Sequence, residues 1–272
     1  MIPRTLFSSD HETFRDTVRK FLENEAVPHH EEWEQTGQVP KALWRKAGEQ
    51  GFLCPMVSEE YGGIDADFLY SVVVSEEISR AGLTGIGWGL HTEIVAPYIE
   101  HYGSEEMKQR LLPKMVSGEL IGAIAMSEPG AGSDLQGVKT NAVKDGDHYI
   151  LNGSKTFITN GQNADIVIVV AKTDPSKGAK GTSLLIVEEG MEGFQKGKNL
   201  KKVGMKAQDT SELFFQDVKV PAENLIGDEG MGFIYLMQEL PQERLGIAIN
   251  GLAMAESAFE HTLDYVKERK AF

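Results

Sequence analysis

The stretch KDGDHYILNGSKTFIT, residues 144–159, decides the fold class predicted for this chain of 272 residues. It contains Asp145-Gly146 and Asn152-Gly153, two dipeptides that favour tight hairpin turns because such turns need positive φ at both central residues. The segments HYIL and SKTFIT follow these dipeptides and have the composition of strands. The pattern predicts a meander of three antiparallel strands.

Three further strand-like segments extend this β region: ADIVIVVAKT (164–173), TSLLIVEEG (182–190) and ELFFQDVKV (212–220). No helical pattern separates them, so the spacing of a parallel βαβ sheet is absent. We therefore expect a middle antiparallel β-domain over residues 119–229.

The residues before this region have the 3.6-residue period of helices. Ser9 and Glu12 match a capping box at a first helix, and the mostly apolar segment from Phe68 to Ala81 predicts a buried helix. A later helix is predicted to break near Pro113, because proline lacks the backbone N–H that a helix needs. Residues 1–118 are predicted to form an all-α N-terminal domain.

Helical periodicity returns from about Gly230 and continues to Phe272, with Pro241 as a predicted kink or helix start. The apolar face is still periodic at the last residue, and such a face needs partners. We expect residues 230–272 to be the first helix or helices of an incomplete C-terminal bundle. The predicted fold class is a multidomain α and β protein: an all-α helical domain, an antiparallel β-domain and the truncated start of a helical bundle.

The composition argues against several classes of function. There are 41 acidic and 27 basic residues, and the net charge of −14 disfavours nucleic-acid binding, which depends on Lys and Arg at phosphates. The one cysteine, Cys54, excludes an intramolecular disulfide and a cysteine-based metal site. The histidines show no metal-ligand spacing beyond the adjacent pair His29-His30, so no metal is expected.

No uncharged apolar run reaches the roughly 18 residues that suggest a membrane span. The start MIPRTLFSSDHETF has neither an apolar signal segment nor an Arg-rich transit pattern. We expect a soluble protein of the cytoplasm, with the mitochondrial matrix as the alternative.

Two segments carry candidate ligand contacts. SEPGAGSD, residues 127–134, has glycines that let backbone N–H groups approach a ligand and two serine hydroxyls, although a sharp turn capped by Asp134 is the alternative. It is not a GxGxxG motif, and no predicted helix follows it, so a Rossmann dinucleotide site is excluded. In FITNG, residues 157–161, an aromatic ring beside a hydroxyl could cover a flat heterocycle; the alternative is a strand end with an Asn-Gly turn.

Glu243 lies in the apolar segment LMQELPQERLGIAIN, residues 236–250. Apolar surroundings raise the pKa of a carboxyl group by desolvation, which suits a general base near neutral pH. The alternative is an ion pair of Glu243 with Arg244 at a helix start. The basic run KERK, residues 267–270, is typical of a solvated helix end, with phosphate binding by Arg269 as the alternative.

Together and in this order, IAMSEPGAGSD, NGSKTFITNG, KVGMKAQDTSELFFQDVKVP, LPQERL and YVKERKAF resemble the acyl-CoA dehydrogenase family, with LPQERL similar to its long-chain type. The resemblance covers nearly the whole chain. It implies a helical domain, a β-domain and a C-terminal four-helix bundle, the order found above. It also implies FAD as cofactor, an acyl-CoA substrate, an electron-transferring flavoprotein as electron acceptor and a homo-oligomer, either a dimer or a tetramer.

The resemblance assigns site residues position by position. The residues implied at FAD are Ile124, Met126, Ser127, Ser133, Phe157, Ile158, Thr159 and Arg269, of which Arg269 would reach the FAD of a neighbouring subunit. The residues implied at the substrate are Ser133, Tyr235, Gln242, Glu243 and Arg244. The family often has Trp where Phe157 stands. Long-chain and isovaleryl members place the catalytic base at the position of Glu243, whereas many others carry it late in the bundle.

The implied reaction is the α,β-dehydrogenation of acyl-CoA in fatty-acid β-oxidation. Glu243 would remove the α-proton, the β-hydride would pass to the flavin, and a trans-2-enoyl-CoA would result. Two alternatives stay open. An acyl-CoA oxidase or related flavin monooxygenase on this scaffold would make hydrogen peroxide without another electron acceptor, and a truncated chain unable to hold FAD would not be an enzyme.

Overall fold

A computed structural model describes residues 4–271. Residues 1–3 and 272, which belong to the first and last predicted units, lie outside the described residues. The N-terminal part of the chain is helical. The helices are α1 (Ser9–Glu25), α2 (His30–Thr36), α3 (Lys41–Glu49), α4 (Phe68–Arg80), a π-helical turn (Leu90–Val95), α5 (Ala96–Tyr102) and α6 (Glu105–Val116). The predicted all-α character of this part is confirmed.

Two local helix predictions were wrong. The capping box of α1 is formed by Ser8 and His11, one residue before the predicted pair of Ser9 and Glu12, because the imidazole of His11 accepts the N–H of Ser8. Pro113 lies inside α6 and does not end it. The helix tolerates the lost hydrogen bond because buried Leu112 and Met115 flank the proline.

The middle of the chain forms one sheet of eight strands. They are β1 (Gly122–Ala125), β2 (Asn141–Asp145), β3 (His148–Thr159), β4 (Ile166–Lys172), β5 (Thr182–Glu188), β6 (Phe194–Asn199), β7 (Thr210–Pro221) and β8 (Leu225–Ile226). The order is β6-β7-β3-β2-β4-β5-β8, with β1 paired to β4. Most neighbouring strands are antiparallel, as predicted. The exceptions are β1, which pairs with β4 in parallel, and β2, which pairs with β4 in parallel at one residue pair.

The Asp145-Gly146 turn joins β2 to β3, whereas the turn predicted at Asn152-Gly153 is absent. The strand β3 runs through that dipeptide, with a register shift against β7 between Leu151 and Gly153. A Cβ at Gly153 would lie 2.4 Å from Oγ1 of Thr140, so glycine is needed there for close backbone approach at a bulge.

The C-terminal part is a single helix, α7 (Gly232–Glu268), which includes Pro241. It packs against α4 and the π-helical turn, and Ala253 and Ser257 are buried on that face. A contiguous core joins Leu236 of α7 to α5, α6 and the sheet. α7 also contacts β5 of the sheet. Among the described residues, no helix is both long and apolar enough to cross a membrane.

Candidate active site

A cavity of about 370 Å³ lies between the helical part, the end of β3 and α7. Glu243 of α7 and Thr159 of β3 both line it. The remaining wall is largely apolar and is formed by Val74, Ser75, Ile78, Ile86, Gly87, Gly89, Leu90, Glu93, Ile94, Met205, Gln208, Gly246, Ile247 and Asn250. Two residues that were predicted to contact different ligands, Thr159 at FAD and Glu243 at the substrate, therefore line one cavity.

Glu243 is 8% exposed, and its carboxylate faces this cavity. The hydroxyl of Tyr98, a fully buried residue of α5, donates a hydrogen bond of 2.8 Å to its Oε1. Burial raises the pKa of Glu243, and the hydrogen bond from Tyr98 opposes this shift without cancelling it. A carboxylate with these properties is poised to accept a proton near neutral pH.

Glu239, one turn earlier on α7, has a different environment. Its Oε1 accepts hydrogen bonds from His101, at 2.9 Å, and from the hydroxyl of Tyr102, at 2.7 Å. Burial alone would raise the pKa of Glu239, but these two hydrogen bonds outweigh it and leave the pKa below its usual value. The ionised Glu239 in turn raises the pKa of Glu243. Of two carboxylates spaced i, i+4, only Glu243 is prepared for proton transfer.

The loop of residues 126–133 is fixed to β3 by a buried ion pair. The Nζ of Lys155 donates to Oε1 of Glu128 at 2.8 Å and to the carbonyl oxygen of Met126 at 2.9 Å. The carbonyl oxygen of Ser127 also accepts the N–H of Thr156 at 3.0 Å. These contacts hold the loop beside the last residues of β3, so the two predicted flavin segments are neighbours.

Phe157 has an exposed aromatic ring and an unusual backbone conformation. Its side chain is 71% exposed and its φ is +59°, a left-handed conformation that costs a non-glycine residue roughly 1–2 kcal/mol. Gly130 and Gly132 in the neighbouring loop have open space where a Cβ would stand. An exposed aromatic ring held by strained backbone beside an open glycine loop fits a flat heterocycle. The residues therefore fit the isoalloxazine of FAD.

The other predicted flavin residues differ in accessibility. Ile124 and Ile158 are buried in the core. Met126 and Ser127 are half-buried and Ser133 is exposed.

Several predicted residues are not brought to the cavity. The ring of Tyr235 stacks on Tyr102 with centroids 4.1 Å apart, and Arg244 is exposed on α7. Arg269 donates to the hydroxyl of Tyr265, at 2.8 Å, near the end of the described chain. The Nε2 of Gln242 donates to the carbonyl oxygen of Glu93, which ties α7 to the π-helical turn.

Three residues of the site lie outside the contacts predicted from the sequence: Tyr98, Glu93 and Lys155. Glu128 lies within the predicted segment 127–134, but its ion pair with Lys155 was not predicted. Tyr98 carries no local signal, because only the packing of α5 on α7 places it against Glu243. A lysine in the middle of an apolar strand was a usable signal for Lys155, since buried lysines occur almost only when paired. Within residues 4–271, no group of three or more His, Cys, Asp or Glu side chains is arranged to hold a metal ion.

Three family models match consecutive parts of the chain. They are the acyl-CoA dehydrogenase N-terminal domain at residues 8–119, the middle domain at residues 123–218 and the C-terminal domain at residues 230–272. The matches follow the order of helical part, sheet and α7 described above.

Comparison with individual proteins also indicates the acyl-CoA dehydrogenase family. The chain is 56% identical to the long-chain specific acyl-CoA dehydrogenase, mitochondrial, of Sus scrofa over 99% of its own length and 63% of that relative's length. It superposes on a crystal structure of an acyl-CoA dehydrogenase from Geobacillus kaustophilus with a TM-score of 0.97 and 57% identity, covering 99% of this chain and 72% of that one. An acyl-CoA dehydrogenase from Bacillus anthracis, solved in complex with FAD, matches with a TM-score of 0.90 and 37% identity, covering 98% and 46% of the two chains.

Proposed function

The chain belongs to the acyl-CoA dehydrogenase family, and from this premise we propose that the whole protein catalyses the FAD-dependent α,β-dehydrogenation of acyl-CoA thioesters to trans-2-enoyl-CoA. The chain spans 63% of the length of the Sus scrofa relative, which is named as specific for long-chain acyl-CoA. That relative supports a long-chain acyl-CoA as the substrate and fatty-acid β-oxidation as the process.

The observation that carries the proposal is the buried Glu243 carboxylate at the cavity, with its raised pKa and its hydrogen bond from Tyr98. The α-proton of a thioester is weakly acidic, so its removal needs a base of raised pKa held in a water-poor site. Glu243 takes this proton in the proposed reaction. Tyr98 positions the carboxylate by fixing one oxygen and leaving the other free to face the substrate.

The residues proposed to hold FAD lie in the loop 126–133 and at the end of β3. Phe157 would pack on the ring system, Thr159 would donate to it from the cavity wall, and the backbone of the loop would face its polar edge. When bound, FAD supplies the acceptor for the hydride that leaves the β-carbon. The Lys155–Glu128 pair keeps the loop in place for this contact.

The remaining features of the proposal concern binding and partners. Ser133, Tyr235, Gln242 and Arg244 are proposed contacts of the acyl-CoA substrate. An electron-transferring flavoprotein is the proposed electron acceptor. We propose a homo-oligomer in which Arg269 reaches the FAD of a neighbouring subunit.

We also propose a division into three units and a cellular location. The units are residues 1–118, 119–229 and 230–272. The location is a reducing compartment, either a bacterial cytoplasm or a mitochondrial matrix, since similar proteins come from Geobacillus kaustophilus and from mitochondria of Sus scrofa. A buried free thiol at Cys54 agrees with this compartment.

The substitution Glu243→Gln tests the proposed base. It keeps the shape of the side chain and the acceptor for Tyr98 but removes the group that takes the proton. The purified protein should retain FAD, whereas bleaching of the flavin absorption by anaerobic palmitoyl-CoA should become at least about 1,000-fold slower. The control is Glu256→Gln at an exposed position of the same helix, which should bleach like the unmodified protein. Normal bleaching by the Glu243→Gln protein would refute the assignment.

A further inference from the structure

A second carboxyl group, that of Glu93, faces the same cavity as Glu243. Glu93 lies in the π-helical turn Leu90–Val95, where the N–H of Ala96 bonds to the carbonyl oxygen of His91, five residues back. Such widened turns often occur at functional sites, because the extra residue changes the direction of a side chain. Here the turn carries an acidic residue on an otherwise largely apolar wall.

Two glycines, Gly246 and Gly89, leave space for the Glu93 carboxyl group. A Cβ at Gly246 of α7 would lie 2.8 Å from Oε2 of Glu93, and a Cβ at Gly89 would lie 3.7 Å from Oε1. A side chain larger than hydrogen at residue 246 would therefore displace the Glu93 carboxyl group. The main chain of Glu93 is anchored as well, because its carbonyl oxygen accepts the amide of Gln242 at 3.1 Å.

No hydrogen bond or ion pair to the Glu93 carboxyl group occurs within residues 4–271, although the group is only partly exposed. Burial raises its pKa to about 7. A carboxyl group that is largely removed from water and has no protein partner is available to a ligand that supplies a hydrogen bond. Nearby cavity residues Ile94 and Ile247 would contact only the alkyl part of such a ligand.

We propose that Glu93 is a specificity-determining residue that selects acyl chains bearing a hydroxyl group. This inference rests on the proposed function. Gly246 follows Glu243 by three residues, so the Glu93 carboxyl group lies about one helical turn from the base, a rise of about 4.5 Å along α7. Since both carboxyl groups line one cavity, an acyl chain that fills it from an α-carbon at Glu243 would contact Glu93. A hydroxyl at that depth satisfies the carboxyl group, whereas an unsubstituted chain leaves it desolvated and unpaired.

The test measures binding to the FAD-loaded, full-length protein in a Glu243→Gln background, so that bound thioesters are not consumed. The ligands are dodecanoyl-CoA and a series of monohydroxy-dodecanoyl-CoA isomers with the hydroxyl at carbons 4 to 12, titrated by calorimetry. At least one isomer should bind about tenfold more tightly than dodecanoyl-CoA, because one hydrogen bond to a charged or partly charged group has about this effect.

Three variants in that background separate specificity from structure. Glu93→Leu should abolish the preference and bind dodecanoyl-CoA more tightly, whereas Glu93→Gln should keep the preference because its amide still bonds a hydroxyl. Glu106→Leu, at an exposed position of α6, is the matched control and should leave both affinities unchanged.

Equal affinity for all the isomers, or a preference that survives Glu93→Leu, would overturn the role of Glu93 while leaving the dehydrogenase proposal intact. If the FAD-loaded protein bound no acyl-CoA at all, both proposals would fail together.

Discussion

At the residue scale, the contact between Tyr98 and Glu243 sets the pH response of the proposed reaction. The base is active when its carboxylate is ionised, and burial already raises its pKa. The hydrogen bond from the Tyr98 hydroxyl stabilises the ionised form and holds the pKa down. The raised pKa of Glu243 is thus a balance of opposing effects, and the contribution of the Tyr98 hydrogen bond depends on a single oxygen atom.

Removing that oxygen with Tyr98→Phe should raise the pKa of Glu243 further. The fraction of ionised base then falls at a given pH, so the acidic limb of kcat/KM against pH should move up by about one pH unit. The measurement is kcat/KM for palmitoyl-CoA from about pH 5 to about pH 9, a range that contains the acidic limb of a carboxylate base with a raised pKa. Tyr61→Phe is the control, because its hydroxyl bonds Glu105 and neither residue lines the cavity. A limb that stays in place or moves to lower pH in the Tyr98→Phe protein would rule out this role.

At the scale of elements, one buried ion pair joins β3 to the loop that follows β1. The side chain of Lys155 is fully buried, and that of Glu128 is 8% exposed. The carboxylate also accepts the backbone N–H groups of Lys139 and Thr140, at 2.7 and 3.0 Å. Glu128 is therefore the centre of a network that closes the loop, and Lys155 compensates its charge.

Replacing this lysine with Lys155→Met leaves the Glu128 carboxylate buried without its cation, and should lower the free energy of unfolding by about 3 kcal/mol. Urea denaturation of the FAD-free protein measures the loss. The control Lys177→Met removes an exposed lysine whose ion pair with Asp174 spans 3.0 Å, and should cost less than about 1 kcal/mol. Similar losses in the two variants would mean that the buried pair does not stabilise the loop.

The elements also show what the sequence could predict. Periodicity was enough for the helical start, the sheet and α7, because hydrophobic patterns of 3.6 and 2 residues extend over long segments. It failed at Asn152-Gly153 because the same dipeptide suits a hairpin and a bulge, and only pairing with β7 decides between them. At the proposed site, motif resemblance pointed to Glu243, Phe157 and Thr159, of which Glu243 and Thr159 line one cavity. Tyr98 and Glu93 could not be predicted, because their roles arise only where α5 and the π-helical turn pack against α7.

At the scale of the whole molecule, the helical part is joined to the sheet by polar contacts around Asn163. This residue is 1% exposed, and its Nδ2 donates to the carbonyl oxygen of Val39 at 2.9 Å. Its Oδ1 accepts from the side chain of Gln38 at 2.5 Å. Nearby, Lys41 pairs with Asp165 at 2.5 Å. The segment between α2 and α3 is thus attached to the turn before β4, and this attachment joins the helical part to the sheet.

The position of the tryptophans allows this coupling to be measured. All three, Trp33, Trp44 and Trp88, precede the sheet, so tryptophan fluorescence reports on the helical part alone. Circular dichroism in the β-sheet region of the spectrum responds to the middle part as well. Two probes that report the same midpoint indicate cooperative unfolding, and two different midpoints indicate separate unfolding.

Asn163→Ala removes the amide from Gln38 and Val39, and from a longer contact of 3.5 Å with Asp209. Buried backbone and side-chain groups are left unpaired, at a cost of about 2 kcal/mol. Because these hydrogen bonds join two parts of the molecule, we expect the fluorescence transition in urea to precede the dichroism transition, whereas the two coincide in the unmodified protein. The control is Asn152→Ala, whose side chain bonds Asp217 within the sheet at 3.0 Å and 2.9 Å. It should lower stability without separating the transitions. Coincident transitions in the Asn163→Ala protein would show that the apolar packing of α7 on both parts maintains cooperativity by itself.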